Sequence, residues 1–278
     1  MSQDFALDTR ASSAVPTQRR KPRRGIPTFW RGVIGVGVLA LGMEIFARSG
    51  LTDERFLPPL SVVIVKLGQE LVDPAFLLAI LATFGTWFLG LLLAAVVAIP
   101  LGIVLGLSEF TYRVSRAAID LVRPIPPIAL IPLVILVLGT TLGMKITLVV
   151  FAALWPILFN TITGVRDVDP QLTQMARSFQ LGRGAIIRRI VLPASAPFIA
   201  TGVRVSSSIA LIVVVTVELI AGGSQGLGAY IAEARAIGTD VPRVFAGTLM
   251  TGALGLLINS ALGALERRFF GWHERKDV

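Results

Sequence analysis

The chain has 278 residues, of which 54% are hydrophobic and only 15% are charged, and this balance excludes an ordinary soluble domain. The net charge of +9 does not indicate a nucleic-acid-binding protein, because the basic residues lie mostly in the N-terminal tail and between apolar runs, where membrane proteins carry them on the cytoplasmic side. The sequence has no cysteine and a single histidine, His273, which excludes disulfides, cysteine-based metal sites and thiol catalysis.

Apolar runs along the chain predict the fold. Several of them approach or exceed about 20 residues with few charges, which is the length that crosses about 30 Å of hydrocarbon. We therefore predict an all-α integral membrane protein with about six transmembrane helices, formed by runs near residues 29–48, 75–107, 123–139, 146–164, 194–220 and 245–265.

The segments outside these runs predict the domain organisation. Residues 1–28, which contain RRKPRR, are expected to form a basic, disordered tail without a cleavable signal. Residues 29–270 are expected to form the transmembrane domain, and residues 271–278 a second tail. Because the segments assigned to the cytoplasm hold most of the Lys and Arg residues, we expect both ends of the chain on that side of the membrane.

Short polar segments mark helix starts after the first run. Two prolines break any helix before Ser61, which is expected to cap a short amphipathic helix. Asp73 and Pro74 predict the start of the next helix, with the aspartate as N-cap and the proline at the first helical position.

Glycines mark two further features. Gly102 and Gly106 form a small-xxx-small pair within the run at 75–107, which either lets another helix approach closely or is simply tolerated in an apolar helix. Residues 221–244, which include GGSQGLG, are expected to be loop-like.

Four prolines lie within nine residues at the start of the third run, among them Pro126 and Pro127. Proline removes backbone donors, so the chain cannot enter this run as a regular helix. Irregular backbone at membrane depth survives only against protein or a water-filled cavity. The cluster therefore indicates either a break beside a translocation path or an interfacial turn before a short helix.

The most informative segment is cationic and lies between the fourth and fifth runs, at residues 169–193. Asp169 and Pro170 predict a helix start. The apolar residues that follow fall on one face of that helix: Leu172, Met175, Ala176 and Phe179. Gly182 permits a turn, after which a second short, basic helix is expected to end at Leu192-Pro193. Two such helices fit either a groove on a soluble partner or a lipid surface.

This segment resembles the cytoplasmic EAA loop of ATP-binding-cassette importer permeases, whose pattern is E-A-A-x-x-x-G, nine residues, then I-x-L-P. The positions that match are Ala176 for the second alanine and, at the expected spacing, Ile190, Leu192 and Pro193. The resemblance implies that residues 169–193, here named the coupling loop, dock a separate ATPase.

Three positions of the coupling loop depart from the pattern. Gln174 stands in place of the glutamate, Met175 in place of the first alanine, and Gln180 in place of the glycine. Gly182 lies two residues after Gln180, and we expect it to take over the turn. Phe179 completes the apolar face that would contact the ATPase.

Further motifs extend the resemblance over nearly the whole chain after residue 30. FLPPLS before the second run, RPIPPIALIPL at the third, GLGAYI at 226–231 and LERRFFGWHE near the end look like the nitrate/sulfonate/taurine subgroup of these permeases. The order and spacing of these motifs, rather than any single one, carry the resemblance.

The resemblance implies an inner-membrane permease that forms a homodimer and works by alternating access with cytoplasmic ATPase subunits and an extracytoplasmic solute-binding protein. The expected solute is a small anion such as an alkanesulfonate, taurine or nitrate, or alternatively a vitamin precursor. No G-x-x-x-x-G-K-[ST] occurs in the sequence, so ATP and Mg²⁺ are expected on the partner ATPase. The chain itself is expected to bind no cofactor or metal and to catalyse no reaction.

Ionisable and polar residues within the apolar runs are default candidates for a solute path. Arg204 either snorkels and caps helix ends or lines an inward cavity for an anion. Glu218, near the outer end of the fifth run, is expected at the membrane interface, with a gate as the alternative. Ser207 either faces a dimer axis or bonds a carbonyl of its own helix. Together with Pro126 and Pro127, these residues form the candidate path.

Other classes of function fit the residues less well. A secondary transporter or channel without an ATPase would need its own coupling-ion site, and acidic residues in the apolar runs are few. A membrane enzyme would need clustered catalytic groups, which a single histidine, no cysteine and dispersed carboxylates do not provide.

Overall fold

The computed structural model describes residues 28–51, 56–221, 225–238 and 240–270. Within these ranges the chain forms helices and connecting turns and no strand, which confirms the all-α prediction. The expected C-terminal tail, and the basic N-terminal tail before Thr28, lie outside the described residues.

The helices follow one another with short connections. They are α1 (Thr28–Arg48), α2 (Leu60–Glu70), α3 (Pro74–Leu107), α4 (Glu109–Val122), a 3-10 turn (Pro127–Leu130), α5 (Ile131–Leu138), α6 (Leu142–Arg166), α7 (Pro170–Ser178), α8 (Arg183–Ile186), a π-helical turn (Ile187–Val191), α9 (Leu192–Ala221), α10 (Leu227–Ile237) and α11 (Val241–Phe270). The chain divides after Met43 into two compact units, and the contacts described below all lie within the second, Glu44–Val278.

Four helices in the described part of the chain are long and apolar enough to span a membrane. They are α3, α6, the continuous helix Arg183–Ala221, and α11. A fifth span is added if α4 and the segment Pro127–Leu138, which are bent by 71° at their junction, are counted as one broken span. The helix α1 coincides with the first predicted run but is not among these spans, so the count of six stays a prediction.

The core is built around α6, which packs against α3 and against α9. A methyl group added at Gly102 would lie 2.7 Å from Cβ of Thr161, and one at Gly106 would lie 2.7 Å from Cβ of Val165. The two glycines therefore allow α3 and α6 to approach closely, which is the first of the two alternatives left open for the small-xxx-small pair.

The start of α3 confirms its predicted cap. The Asp73 side chain accepts a hydrogen bond of 2.9 Å from the backbone N–H of Ala75, and Pro74 occupies the first turn. The cap satisfies one of the backbone donors that a helix start leaves unpaired, and the proline ring already has the helical φ angle.

The cap predicted for α2 is wrong. The helix starts at Leu60, Pro59 is its N-cap residue, and Ser61 makes no capping hydrogen bond. Instead, the N–H and the hydroxyl of Ser61 donate to the carboxylate of Glu44, at 3.0 Å and 2.8 Å. A carboxylate from another helix therefore satisfies the free donor of the first turn, a contact that no local pattern could predict.

The expectation of a loop over residues 221–244 is also wrong, because that stretch contains α10. Four residues at helical spacing on α10 are buried, namely Leu227, Tyr230, Ile231 and Ala234, and the helix contacts α3, α9 and α11. The Gly-rich segment before it conceals this short amphipathic pattern, and Gly226, at φ +143°, supplies the backbone conformation that starts the helix.

Candidate functional site

The first helix of the coupling loop, α7, starts as predicted. The Asp169 side chain accepts a hydrogen bond of 2.8 Å from the N–H of Gln171, and Pro170 lies in the first turn. Of the predicted apolar face, only Ala176 is buried, whereas Met175 and Phe179 are 58% and 78% exposed. These two side chains, with half-exposed Leu172, form an apolar ridge that points away from the protein.

The turn after α7 corrects the prediction that Gly182 replaces the missing glycine. Gln180 itself is left-handed, at φ +57°, whereas Gly182 has φ −65°. The N–H of Gln180 donates to the carbonyl of Arg177 at 2.8 Å, and the N–H of Leu181 donates to that of Ala176 at 3.1 Å. These two bonds define a Schellman motif, and its geometry requires a left-handed residue at position 180, whatever the side chain.

The second half of the coupling loop is not a separate short helix. The helix that begins at Arg183 passes through the π-helical turn and continues to Ala221 without a break, so Leu192 and Pro193 do not end it. Proline lacks an N–H and its ring crowds the carbonyl four residues earlier. The wider π turn directly before Pro193 accommodates both effects. The coupling loop is thus mechanically continuous with a membrane span.

A small apolar cluster holds the coupling loop against the ends of the spans. Its buried members are Val165, Ala176, Ile186 and Val191, and the partly buried residues packed on them are Ile103, Val168, Leu181 and Ile190. Ala176 and Ile190, two of the positions that match the EAA pattern, therefore fix the loop to the membrane domain. The remaining loop positions Gln174, Leu192 and Pro193 are exposed.

Basic side chains border the apolar ridge. Arg177, Arg183, Arg188 and Arg189 are exposed, and among the described residues none of them forms an ion pair shorter than 4.0 Å. An apolar ridge with a positively charged border suits an apolar groove that has an acidic rim on a soluble protein.

The proline-rich segment confirms a break at the start of the third run. Pro126 precedes the 3-10 turn and Pro127 begins it, and the helices on either side differ in direction by 71°. The turn packs against α6 and α9, so protein covers part of its irregular backbone. The role of Pro126 and Pro127 in a solute path stays a prediction.

Arg204 and Ser207 occupy different environments on α9. The Arg204 guanidinium donates to Oε2 of Glu266 at 3.1 Å and to Oδ1 of Asn259 at 3.0 Å, and thereby links α9 to α11. Ser207 is buried, and its carbonyl accepts a hydrogen bond of 2.9 Å from Nε1 of Trp87 on α3.

Glu218 on α9 and Lys145 on α6 form a buried pair, and the expected position of Glu218 at the membrane interface stays a prediction. The Glu218 side chain is fully buried and accepts hydrogen bonds from the hydroxyl of Thr83 at 2.7 Å and from the N–H of Gly228 at 3.1 Å. Nζ of Lys145 lies 3.3 Å away, and the Lys145 side chain is only 5% exposed. No local sequence pattern connects Lys145 with Glu218, because the two residues lie 73 positions apart.

The buried pair positions the start of α10. Nζ of Lys145 also donates to the carbonyl of Gln225, and the hydroxyl of Thr83 accepts a hydrogen bond of 2.8 Å from the N–H of Leu227. A methyl group at Gly226 would overlap Oε1 of Glu218. Side chains of α3, α6 and α9 thus converge on one backbone segment that only glycine fits.

A second polar network, which sequence reasoning missed, ties α2 to α10 and α11. The Tyr230 hydroxyl donates to the carboxylate of Glu70, and the Arg243 guanidinium donates to the Tyr230 oxygen at 2.6 Å. Burial and the Glu70 carboxylate raise the pKa of Tyr230. Lys66 lies 2.7 Å from Oδ2 of Asp240, and that hydrogen bond raises the pKa of Lys66.

The candidate path residues do not share one cavity. Ser207 lines a groove of about 500 Å³ between α9 and α11, whereas Pro126, Pro127, Arg204 and Glu218 lie outside the lining of that groove. Among the described residues, no group of His, Cys, Asp and Glu side chains is arranged to hold a metal ion.

Comparisons with known proteins identify relatives that match between 64% and 91% of this chain. The putative aliphatic sulfonates transport permease protein SsuC of Bacillus subtilis is 31% identical over 255 residues, which cover 91% of each chain. The taurine transport system permease protein TauC of Escherichia coli K12 is 30% identical over 249 residues, which cover 86% of this chain and 90% of TauC. The nitrate import permease protein NrtB of Leptolyngbya laminosa is 29% identical over 179 residues, 64% of this chain and 63% of NrtB.

Solved structures share the fold. The MetNI methionine ABC transporter, in an inward-facing conformation, contains a chain that superposes with a TM-score of 0.60 at 18% identity, covering 76% of this chain and 98% of the other. A chain of a bacterial ABC transporter involved in the import of alginate superposes with a TM-score of 0.61 at 17% identity, covering 88% and 94%. The family described as the binding-protein-dependent transport system inner membrane component matches residues 98–271, and the chain, as its coupling loop indicated, belongs to this family of ABC importer permeases.

Proposed function

We propose that the chain is the transmembrane subunit of an ATP-driven importer for a small anion such as an alkanesulfonate, taurine or nitrate. Two copies form the membrane part, a pair of separate P-loop ATPase subunits supplies ATP and Mg²⁺, and an extracytoplasmic binding protein delivers the solute. Both ends of each copy lie in the cytoplasm of the bacterial cell. The chain catalyses nothing itself and moves the solute by alternating access.

The geometry of the coupling loop is the observation that carries this proposal. Its apolar ridge is exposed on one side, while Ala176 and Ile186 anchor the other side to the membrane domain. Because the helix from Arg183 runs without interruption into the span that ends at Ala221, a displacement of the docked ridge is transmitted to the span. A helix that only rested on lipid would not need this rigid connection.

The names of the relatives support the solute class. The SsuC, TauC and NrtB permeases are named for sulfonates, taurine and nitrate, which all carry a compact oxyanion group. The basic groups of α9 and α11 described below agree with an anionic solute.

The first test is copurification of the tagged chain in mild detergent with its ATPase. We expect a stoichiometric P-loop ATPase with the unmodified chain and its loss with Phe179→Asp. Burying a phenylalanine contributes about 1.5–3 kcal/mol and an unpaired buried charge costs more, so the affinity for the ATPase should fall by a factor of about 100. Uptake and stimulation of ATP hydrolysis in proteoliposomes should fall in parallel.

Two variants serve as controls for this experiment. Phe110 on α4 is also 78% exposed, and Phe110→Asp should keep the ATPase because that residue lies outside the coupling loop. Phe179→Leu keeps an apolar side chain and should retain most of the coupling. Normal ATPase binding and uptake by Phe179→Asp would refute the docking role of the loop and favour a transporter without an ATPase.

A further inference from the structure

The groove between α9 and α11 has a mainly apolar lining that contains five polar residues. Ser207 and Ser208 lie midway along α9, and the groove extends along α11 to Asn259. The other polar residues that line it are Thr216 and Thr251. Each of these threonine hydroxyls donates to a carbonyl of its own helix and leaves its oxygen facing the groove as an acceptor.

Exposed polar groups at this depth do not face hydrocarbon. Ser208 and Asn259 are exposed, and their donors would lose several kcal/mol of hydrogen bonding if lipid chains covered them. Leu257, which lies next to the groove but outside its lining, is 64% exposed, and the apolar residues Ile212 and Leu256 within the lining are 62% and 71% exposed. Ser208 and Asn259 therefore need water, a solute or another polar partner in the assembled protein.

The donors of the groove are held in one orientation. Nε of Arg204 donates to Oδ1 of Asn259 at 3.0 Å, so the amide presents its Nδ2 donors elsewhere. Neither these donors nor the Ser208 hydroxyl has a hydrogen-bond partner within the described ranges of the chain. These two donor groups can bond the oxygens of an oxyanion, whereas Thr216 and Thr251 present only acceptor oxygens to the groove.

Positive charge gathers at the Asn259 end of the groove. A methyl group at Gly263 would lie 3.3 Å from Cζ and Nη2 of Arg204 and 3.5 Å from Nη1 of Arg267, so two guanidinium groups converge over this glycine. Glu266 is the one carboxylate bonded to them within the described residues. The local charge is therefore positive, which raises the concentration of anions in the groove.

We propose that this groove is a wall of the solute passage and holds an oxyanion such as a sulfonate, with Ser208 and Asn259 as hydrogen-bond donors and with Arg204 and Arg267 as the source of positive charge. The inference rests on the proposed function and adds the site at which the permease itself selects an anion. Release toward the cytoplasm follows along α9 past Arg204.

The absence of cysteine from the chain allows a direct test by cysteine labelling. We would introduce Ser208→Cys into the complete importer in membranes and measure its reaction with two water-soluble methanethiosulfonates, one carrying an ethylsulfonate group and one a trimethylammonium group. The thiolate that reacts forms only in water. We expect labelling of the cysteine at position 208, with the sulfonate reagent about tenfold faster after correction for intrinsic reactivity. Leu257→Cys, outside the groove lining, should stay unlabelled.

The charge of Arg204 is tested in the same background. Combining Ser208→Cys with Arg204→Gln should reduce the preference for the sulfonate reagent to about twofold or less, whereas Arg204→Lys should preserve it. If the Arg204→Gln protein is not recovered from membranes, Arg267→Gln takes its place, because the Arg267 side chain is exposed. This variant should reduce the preference for the sulfonate reagent in the same way. A purely structural ion pair would not change the ratio of the two rates.

Two results would overturn the proposal: no labelling at position 208, or a sulfonate preference that neither glutamine variant changes. These results are distinguishable from failure of the proposed function. If the importer copurifies with its ATPase but position 208 is not labelled, the proposed function stands and the groove is not the solute passage. If position 208 is labelled but no ATPase copurifies with the chain, the proposed function is refuted.

Discussion

The buried pair of Lys145 and Glu218 gives the sharpest stability prediction. We consider Lys145→Met, Glu218→Gln and the double variant, each of which removes charge with little change in side-chain volume. Either single variant leaves one charge in a site that is at most 5% exposed, whereas the double variant leaves none.

The magnitude follows from the distance and the burial. Two unit charges 3.3 Å apart attract with about 5 kcal/mol at an effective dielectric constant of about 20, and breaking a buried pair typically costs about 3–5 kcal/mol. In Lys145→Met, Glu218 keeps the hydroxyl of Thr83 and the N–H of Gly228 as partners. This variant should therefore lower the free energy of unfolding by about 3 kcal/mol, at the lower end of that range. The double variant should cost only about 1 kcal/mol, because replacing both charges avoids the desolvation penalty.

The assay is denaturation of the detergent-solubilised importer, followed by intrinsic tryptophan fluorescence, for the four members of the double-mutant cycle. The matched control is the surface pair of Arg116 and Asp120, 3.5 Å apart with side chains 66% and 56% exposed. Its cycle with Arg116→Met and Asp120→Asn should give a coupling energy below about 0.5 kcal/mol. Equal coupling energies for the two pairs would refute the structural role of the buried pair.

Two further substitutions test the backbone geometry. Gln180→Gly should raise the free energy of unfolding by about 0.5 kcal/mol. The reason is that relief of about 1–2 kcal/mol of left-handed strain exceeds the entropy that glycine adds to the unfolded chain. A loss of stability in the same assay would contradict the Schellman geometry. Gly102→Ala should destabilise by about 1–3 kcal/mol, since its methyl group would meet Thr161 at 2.7 Å. Gly85→Ala on the same helix, with no atom within 4 Å, should be neutral or stabilising, and the opposite order of the two alanine variants would contradict the packing of α3 on α6.

The two helix starts capped by aspartate could be predicted because they depend on neighbouring residues, unlike the start of α2. The aspartate caps at Asp73 and Asp169 each bond an N–H two residues later, so the signal and the structure lie within one turn. The turn after α7 could not be predicted from residue type alone. There, the pairing of Leu181 with Ala176 and their packing in the apolar cluster determine which residue becomes left-handed, and a glutamine accepts the strain although a glycine lies two positions away.

The polar networks could not be predicted because their partners are distant in sequence. Glu218 meets Thr83, 135 residues earlier, and Tyr230 meets Glu70, 160 residues earlier. The helix α10 could not be predicted for a similar reason, because its apolar residues become buried only through contacts with α3, α9 and α11. Composition and apolar length predict the spans, but these cross-helix bonds determine how the spans are joined.

The two groups of charges at membrane depth have opposite consequences for function. Lys145 and Glu218 bond each other and the backbone of α10 and are sealed from solvent, so their charges cannot act on a solute. Arg204 also bonds a carboxylate, but its side chain is 40% exposed and it orients an amide whose donors lie open in the groove. A charged residue within a span is therefore better judged by the free donors around it than by the charge alone, and this criterion is the reason why the proposed solute passage includes Arg204 rather than Glu218.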